Sequence, residues 1–124
     1  MTAIASEPRV TLDLSALTGT WKNTNTASVG VVRFDIAASA DGLRISAHAS
    51  ESWGTTAGHA YSADGFEARQ ALAFNATFDR GFADVRLQAN IKAGVLVVAF
   101  LKRFKDDSGW SNVFTREFYY RSVA

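Results

Sequence analysis

After Pro8, its only proline, the chain settles into segments in which apolar and polar side chains alternate, separated by turns that carry glycine. A period of two is the mark of a strand with one face buried and the other wet, so this pattern constrains the fold more than any other feature. The cleanest case is Ala83 to Lys92, where Ala83, Val85, Leu87, Ala89 and Ile91 alternate with Asp84, Arg86, Gln88, Asn90 and Lys92. Further segments run from Gly19 to Asn25, Val29 to Ala38, Leu43 to Glu51, Ala57 to Ala63, Phe66 to Phe78, Val95 to Lys105 and Trp110 to Arg121. Asp41-Gly42 and Asp64-Gly65 are tight hairpin signals between them. There is no long helical pattern and no internal repeat.

Eight strands joined in order by short turns predict an all-β fold, an eight-stranded antiparallel up-and-down β-barrel. Closing the sheet removes both exposed edges and leaves an interior able to hold one small ligand. An open sandwich or a flattened barrel is the competing arrangement. The 124 residues suffice for one domain and not two, so residues 1–12 are read as an N-terminal arm and 13–124 as a single barrel domain. Val10 to Leu17 is expected to form a short helical turn plugging one end, capped by Asp13 or Ser15.

Charge and composition narrow the classes of partner. The 13 basic residues nearly balance the 12 acidic ones, which leaves no electrostatic footprint for nucleic acid or an anionic membrane. Without cysteine there is no disulfide and no thiolate metal site. The first residues lack the basic and apolar regions of a signal peptide, and no segment approaches the roughly 18 apolar residues of a membrane span. A cytoplasmic protein without a cofactor is the expectation.

In a meander, alternate connections lie at the same end. The turns near Asp41-Gly42, Asp64-Gly65 and Ala93-Gly94 fall with the start of the first strand, at an end that reads as closed. The connections at Thr26 to Ser28, Ser52 to Thr56, Asp79-Arg80-Gly81 and Asp106 to Gly109 gather at the other end, which is the expected mouth. Trp53 and Trp110 lie near that mouth, with Glu51, Phe78, Phe104 and Asn112 close by. Tryptophan there either grips a flat ligand or covers the rim.

The string Leu17-Thr18-Gly19-Thr20-Trp21-Lys22-Asn23, with Arg121 at the end of the last strand, resembles the calycin superfamily of β-barrels, which includes lipocalins, fatty-acid-binding proteins and avidins. Locally it is most similar to the avidin group. The resemblance implies that an arginine packs over Trp21 at the closed end, and that Asn23 points into the barrel toward the ligand. Arg121 and Arg116 are rivals for the first role. The avidin tryptophan cage and the polar set for a ureido ring are missing, so biotin is not implied.

Parity adds further inward candidates: Gln70 on the fifth strand, and Asn112, Phe114 and Arg116 on the eighth, where Arg116 shares a face with Phe114, Phe118 and Tyr120. A buried arginine needs a carboxylate, carbonyls or an anionic ligand, and an internal pair between Arg116 and Glu51 is one reading. His59 and Tyr61 form a possible acid and base pair, while His48 shares its face with polar residues and reads as outer. Two histidines on neighbouring strands are too few for a metal site. On the seventh strand Val95, Val97, Ala99 and Leu101 form one apolar row and Leu96, Val98 and Phe100 another. One row must face outward, which predicts a homo-oligomer packed through strands six to eight, the alternative being that the N-terminal arm covers the row.

Three functions fit this reading. The first is binding of a small apolar or aromatic molecule in the barrel cavity. The second is a barrel-shaped cyclase or isomerase acting on a polyketide- or terpenoid-like intermediate, with Arg116, Glu51, His59 and Tyr61 as the groups available for chemistry. The third is an interaction module whose barrel is filled by its own side chains. A fold does not choose among them.

Overall fold

The computed structural model describes residues 12–62 and 69–123. Its strands are β1 (Gly19–Asn23), β2 (Arg33–Ser39), β3 (Gly42–His48), β4 (Ser52–Ser62), β5 (Ala71–Asp79), β6 (Ala83–Lys92), β7 (Val95–Phe104) and β8 (Val113–Ser122). They close in sequence order into an antiparallel up-and-down barrel, with β8 returning to pair with β1. The expected architecture is therefore present. The Asp64-Gly65 turn and nearly all of the expected arm lie outside the described residues.

Alternation decides which side chains fill the barrel. Trp21, Phe34, Leu43, Ile45, Phe74, Leu87, Leu96 and Tyr119 are all buried. The rings of Phe34 and Tyr119 meet edge to face at 4.9 Å, and Phe34 stacks toward Phe100 at 6.2 Å. Glycine is required at Gly42, whose φ of +137° turns the chain and where a Cβ would lie 2.9 Å from the Gly58 carbonyl. On β7 the inward row is Leu96, Val98 and Phe100, which leaves Val95, Val97, Ala99 and Leu101 outside.

The closed end is fastened from both chain directions. Ser15 N donates to Asp13 Oδ1 at 2.9 Å, and the amides of Leu17 and Thr18 return to the Leu14 carbonyl, so a single turn at 15–17 stands in place of the expected helical turn from Val10 to Leu17. Asp13 itself bridges to Gln70, and Val10 and Thr11 lie outside the described residues. Leu17 is wholly buried and its carbonyl accepts the Trp21 indole N–H at 2.9 Å. Arg121, not Arg116, lies over the Trp21 ring at 4.9 Å and donates to the carbonyls of Ser15 and Ala16.

Several boundaries differ from expectation. The second strand begins at Arg33 rather than Val29, and the third ends at His48 rather than Glu51. The fourth begins at Ser52 rather than Ala57, so that the expected Ser52 to Thr56 connection is strand, and the eighth begins at Val113 rather than Trp110. A bulge also changes the parity of β5: Tyr61 pairs with Ala73 and Ser62 with Ala71, leaving Leu72 without a partner. Ala71 and Phe74 thus both point inward, although they are an odd number of residues apart. Gln70 accordingly falls outside, exposed, where it bridges to Asp13.

Candidate functional site

The mouth end holds a cavity of about 530 Å³. Val31, Val85, Phe100, Val113 and Trp53 give it apolar walls, and Ser28, Glu51, Arg80, Lys102, Thr115 and Glu117 supply polar groups. This mixture of hydrocarbon with a few polar groups is the usual form of a small-molecule site. The polar groups occupy two sides of the cavity with different local bonding.

On the β8 side the connection between β1 and β2 folds against Glu117. Asn23 Nδ2 and Ser28 Oγ both donate to Glu117 Oε1, at 3.0 and 2.5 Å. Asn23 also donates to the Val31 carbonyl at 3.0 Å and accepts the Asn25 amide at 2.8 Å. Tyr119 Oη donates to that same Val31 carbonyl at 2.7 Å. Burial first, and then the nearby charge of Glu117, push the Tyr119 phenol well above its ordinary value. It is a fixed donor at any physiological pH.

The side formed by β4 to β7 carries the cations. Arg80, in the β5–β6 turn, lies 4.9 Å over the Trp53 ring and donates to Glu51 Oε1 at 2.8 Å. Trp53 in turn meets Phe78 edge to face at 5.6 Å. Lys102 follows Phe100 on the inward row of β7, and its ammonium sits 5.8 Å from the Phe104 ring. No carboxylate among the described residues lies within salt-bridge distance of Lys102.

Comparison with protein-family models, with curated proteins and with solved structures gives no significant match.

The sequence candidates fall in different places. Glu51 and Trp53 line the cavity. Asn23 is 6% exposed and points inward, but both its donors and its carbonyl are engaged by the protein. Trp110 and Asn112 belong to the loop beyond the rim: Trp110 is 70% exposed beside Phe104, and Asn112 Oδ1 accepts the Phe104 amide at 3.3 Å.

The last group is displaced to the outer surface. Phe114, Phe118 and Tyr120 are exposed, because the inward row of β8 is Val113, Thr115, Glu117, Tyr119 and Arg121. Arg116 borders the cavity, but its guanidinium lies over Phe114 at 5.5 Å on the outside, and Glu51 pairs with Arg80 instead. His59 and Tyr61 share the outer face of β4, with Asn75 Nδ2 donating to Tyr61 Oη at 3.1 Å. His48 and His59 do not meet, since His48 pairs with Arg33 and Ser52 whereas His59 pairs with Asn75. His48 Nε2 instead lies 3.1 Å from Asp35 on the outer face, as its parity indicates.

Among the polar groups of the cavity, Ser28, Arg80, Lys102, Thr115 and Glu117 are the ones sequence reasoning missed. The signal for Glu117 and Thr115 lies at the end of their own strand: if Arg121 covers the inward Trp21, steps of two along β8 turn Tyr119, Glu117 and Thr115 inward as well. For Lys102 the corresponding signal is Phe100, the one aromatic on either apolar row of β7, whose row turns inward and carries Lys102 two residues on.

Proposed function

We propose that the protein binds a small apolar or aromatic molecule in the mouth half of a calycin-like barrel. The observation that carries this reading is the open volume above Val85 and Phe100, bounded by Trp53 and Val31. The large rings that might have filled it, Phe114, Phe118 and Tyr120, face outward. Trp53 offers a flat apolar surface for a ring. The resemblance around Gly19-x-Trp21, with Arg121 over the indole, supports the calycin-like assignment.

The test is titration with uncharged N-phenyl-1-naphthylamine, followed by fluorescence and by backbone amide NMR shifts. Saturable one-to-one binding with shifts at Val31, Val85, Phe100 and Thr115 supports the proposal. No saturable binding, or shifts confined to Leu101, Phe114 and Phe118, overturns it. Native mass spectrometry of protein purified from its own host then identifies the natural ligand.

A second proposal concerns the outer face of β7 and β8, where Leu101, Phe114, Phe118 and Tyr120 are exposed together. We assign this face to self-association, because contiguous apolar patches on an otherwise polar surface tend to be covered. Light scattering of wild type and of a Phe114→Glu, Phe118→Glu double variant reads it directly. A wild-type oligomer that becomes monomeric supports it, and a monomeric wild type ends it.

A further inference from the structure

Two cations, Arg80 and Lys102, line the mouth cavity. Phe78, Val85 and Lys102 lie side by side across β5, β6 and β7, and Arg80 follows Phe78 at the turn. Arg80 and Lys102 therefore flank Val85 on one wall of the cavity, and both line it. Of the nearby carboxylates, Asp79 and Asp84 are turned to Lys105, at 2.9 and 3.0 Å, and Glu51 pairs with Arg80 at 2.8 Å. Of the two mouth cations Lys102 is therefore the one without a carboxylate partner among the described residues. Glu117 lies two inward positions deeper than Val113, the residue paired with Lys102, a separation of about 13 Å along the strand.

We propose that the ligand is an aromatic anion, with its flat body between Trp53 and Phe100 and its acidic group on the Lys102 ammonium. This rests on the small-molecule reading above and narrows it to one chemical class, whether the acid is a carboxylate, a sulfonate or a phosphate. Arg80 is the secondary contact: its side chain is only 17% exposed, and a guanidinium has donors beyond the one given to Glu51. Its plane is fixed against Trp53, so those donors are held in place rather than gathered on binding.

Glu117 sets the direction. Its carboxylate is held by Asn23 and Ser28 on the far side of the cavity, where it disfavours a second negative charge. An acidic ligand thus enters with its apolar end toward Phe100 and keeps its charge at the Lys102 rim. Phe104, lying under the ammonium, forms the apolar edge of that rim.

The experiment compares 8-anilino-1-naphthalenesulfonate with its uncharged twin N-phenyl-1-naphthylamine, on wild type, Lys102→Gln and Lys102→Arg, with amide shifts reporting where each probe sits. The sulfonate should bind wild type in the cavity, and Lys102→Gln should weaken it by about ten-fold or more, the scale of one charge-assisted hydrogen bond. The uncharged twin should change by less than about two-fold, and Lys102→Arg should keep most of the sulfonate affinity. If the uncharged twin binds but the sulfonate ignores Lys102→Gln, or both probes weaken equally, the anion assignment falls while the cavity reading stands. If neither probe enters the wild-type cavity, both fall. Unchanged urea midpoints in the two variants exclude misfolding as the cause.

Discussion

An arginine lies 4.9 Å over a tryptophan ring at each end of the barrel, yet the two stacks have different surroundings. At the closed end Trp21 is 2% exposed, its N–H is given to Leu17, and Arg121 is tied to the carbonyls of Ser15 and Ala16. At the mouth Trp53 is half-buried and lines open volume, and Arg80 answers Glu51, whose side chain is 74% exposed. The same pair of side chains closes a core in one place and edges a cavity in the other. What separates them is whether the remaining donors and ring faces are met by protein.

The largest expected effect follows from that difference. Trp21→Ala should cost about 3–5 kcal/mol of unfolding free energy, because it leaves a cavity under Arg121. Trp53→Ala should cost about 1 kcal/mol, near the centre for ordinary substitutions, and should weaken binding of the uncharged probe. Equal urea denaturation losses in the two variants would break the comparison.

Asn23 sharpens it next, since it lies on the same strand as Trp21 but nearer the mouth. Asn23→Ala strips partners from Glu117, the Val31 carbonyl and the Asn25 amide, and should cost about 1–3 kcal/mol. A normal unfolding curve with lost probe affinity would return Asn23 to the ligand site. Smaller still is the contrast between the two arginines. Arg121→Met should lose about 1–2 kcal/mol with its bonds to two carbonyls, whereas Arg80→Met, broken from a largely exposed partner, should lose less than about 1 kcal/mol.

The smallest effect is the pH response of the outer mouth. The hydrogen bond from Lys105, then the Gly81 amide and the Lys105 charge, hold the Asp79 carboxyl below its ordinary 3.8, and bonds to Asp79 and Asp84 hold Lys105 above 10.5. A lowered acid stabilises the fold above its unfolded value and loses that contribution as pH falls through the folded one. A raised base does so below its unfolded value and loses it as pH rises through the folded one. The network should therefore contribute across the neutral range and fade below about pH 4 and above about pH 10. Asp79→Asn should flatten the acid side of the stability profile, and an unaltered profile would remove this network from the account.

The fold was readable because period-two alternation is a property of single residues and survives without knowledge of partners. β6 shows it best, with Ala83, Val85, Leu87 and Ala89 all buried as their spacing requires. The site was less readable because facing is a property of register. A single extra residue at Leu72 turned Gln70 outward, and the bulge depends on how β5 pairs with β4. On β8 the row of Phe114, Phe118 and Tyr120 is the more aromatic one and yet faces outward, so apolarity alone points to the wrong face. Arg121 over Trp21 settles the choice, and with it the exchange of Arg116 and Phe114 for Glu117 and Thr115.

The mouth is open volume while the closed end is packed around Trp21, and Thr115→Trp separates the two. Thr115 faces the cavity opposite Phe100, so a larger ring has room to enter. The account predicts a urea unfolding free energy within about 0.5 kcal/mol of wild type, together with loss of N-phenyl-1-naphthylamine binding. A loss of about 1–3 kcal/mol from overpacking, with probe binding retained, would contradict it.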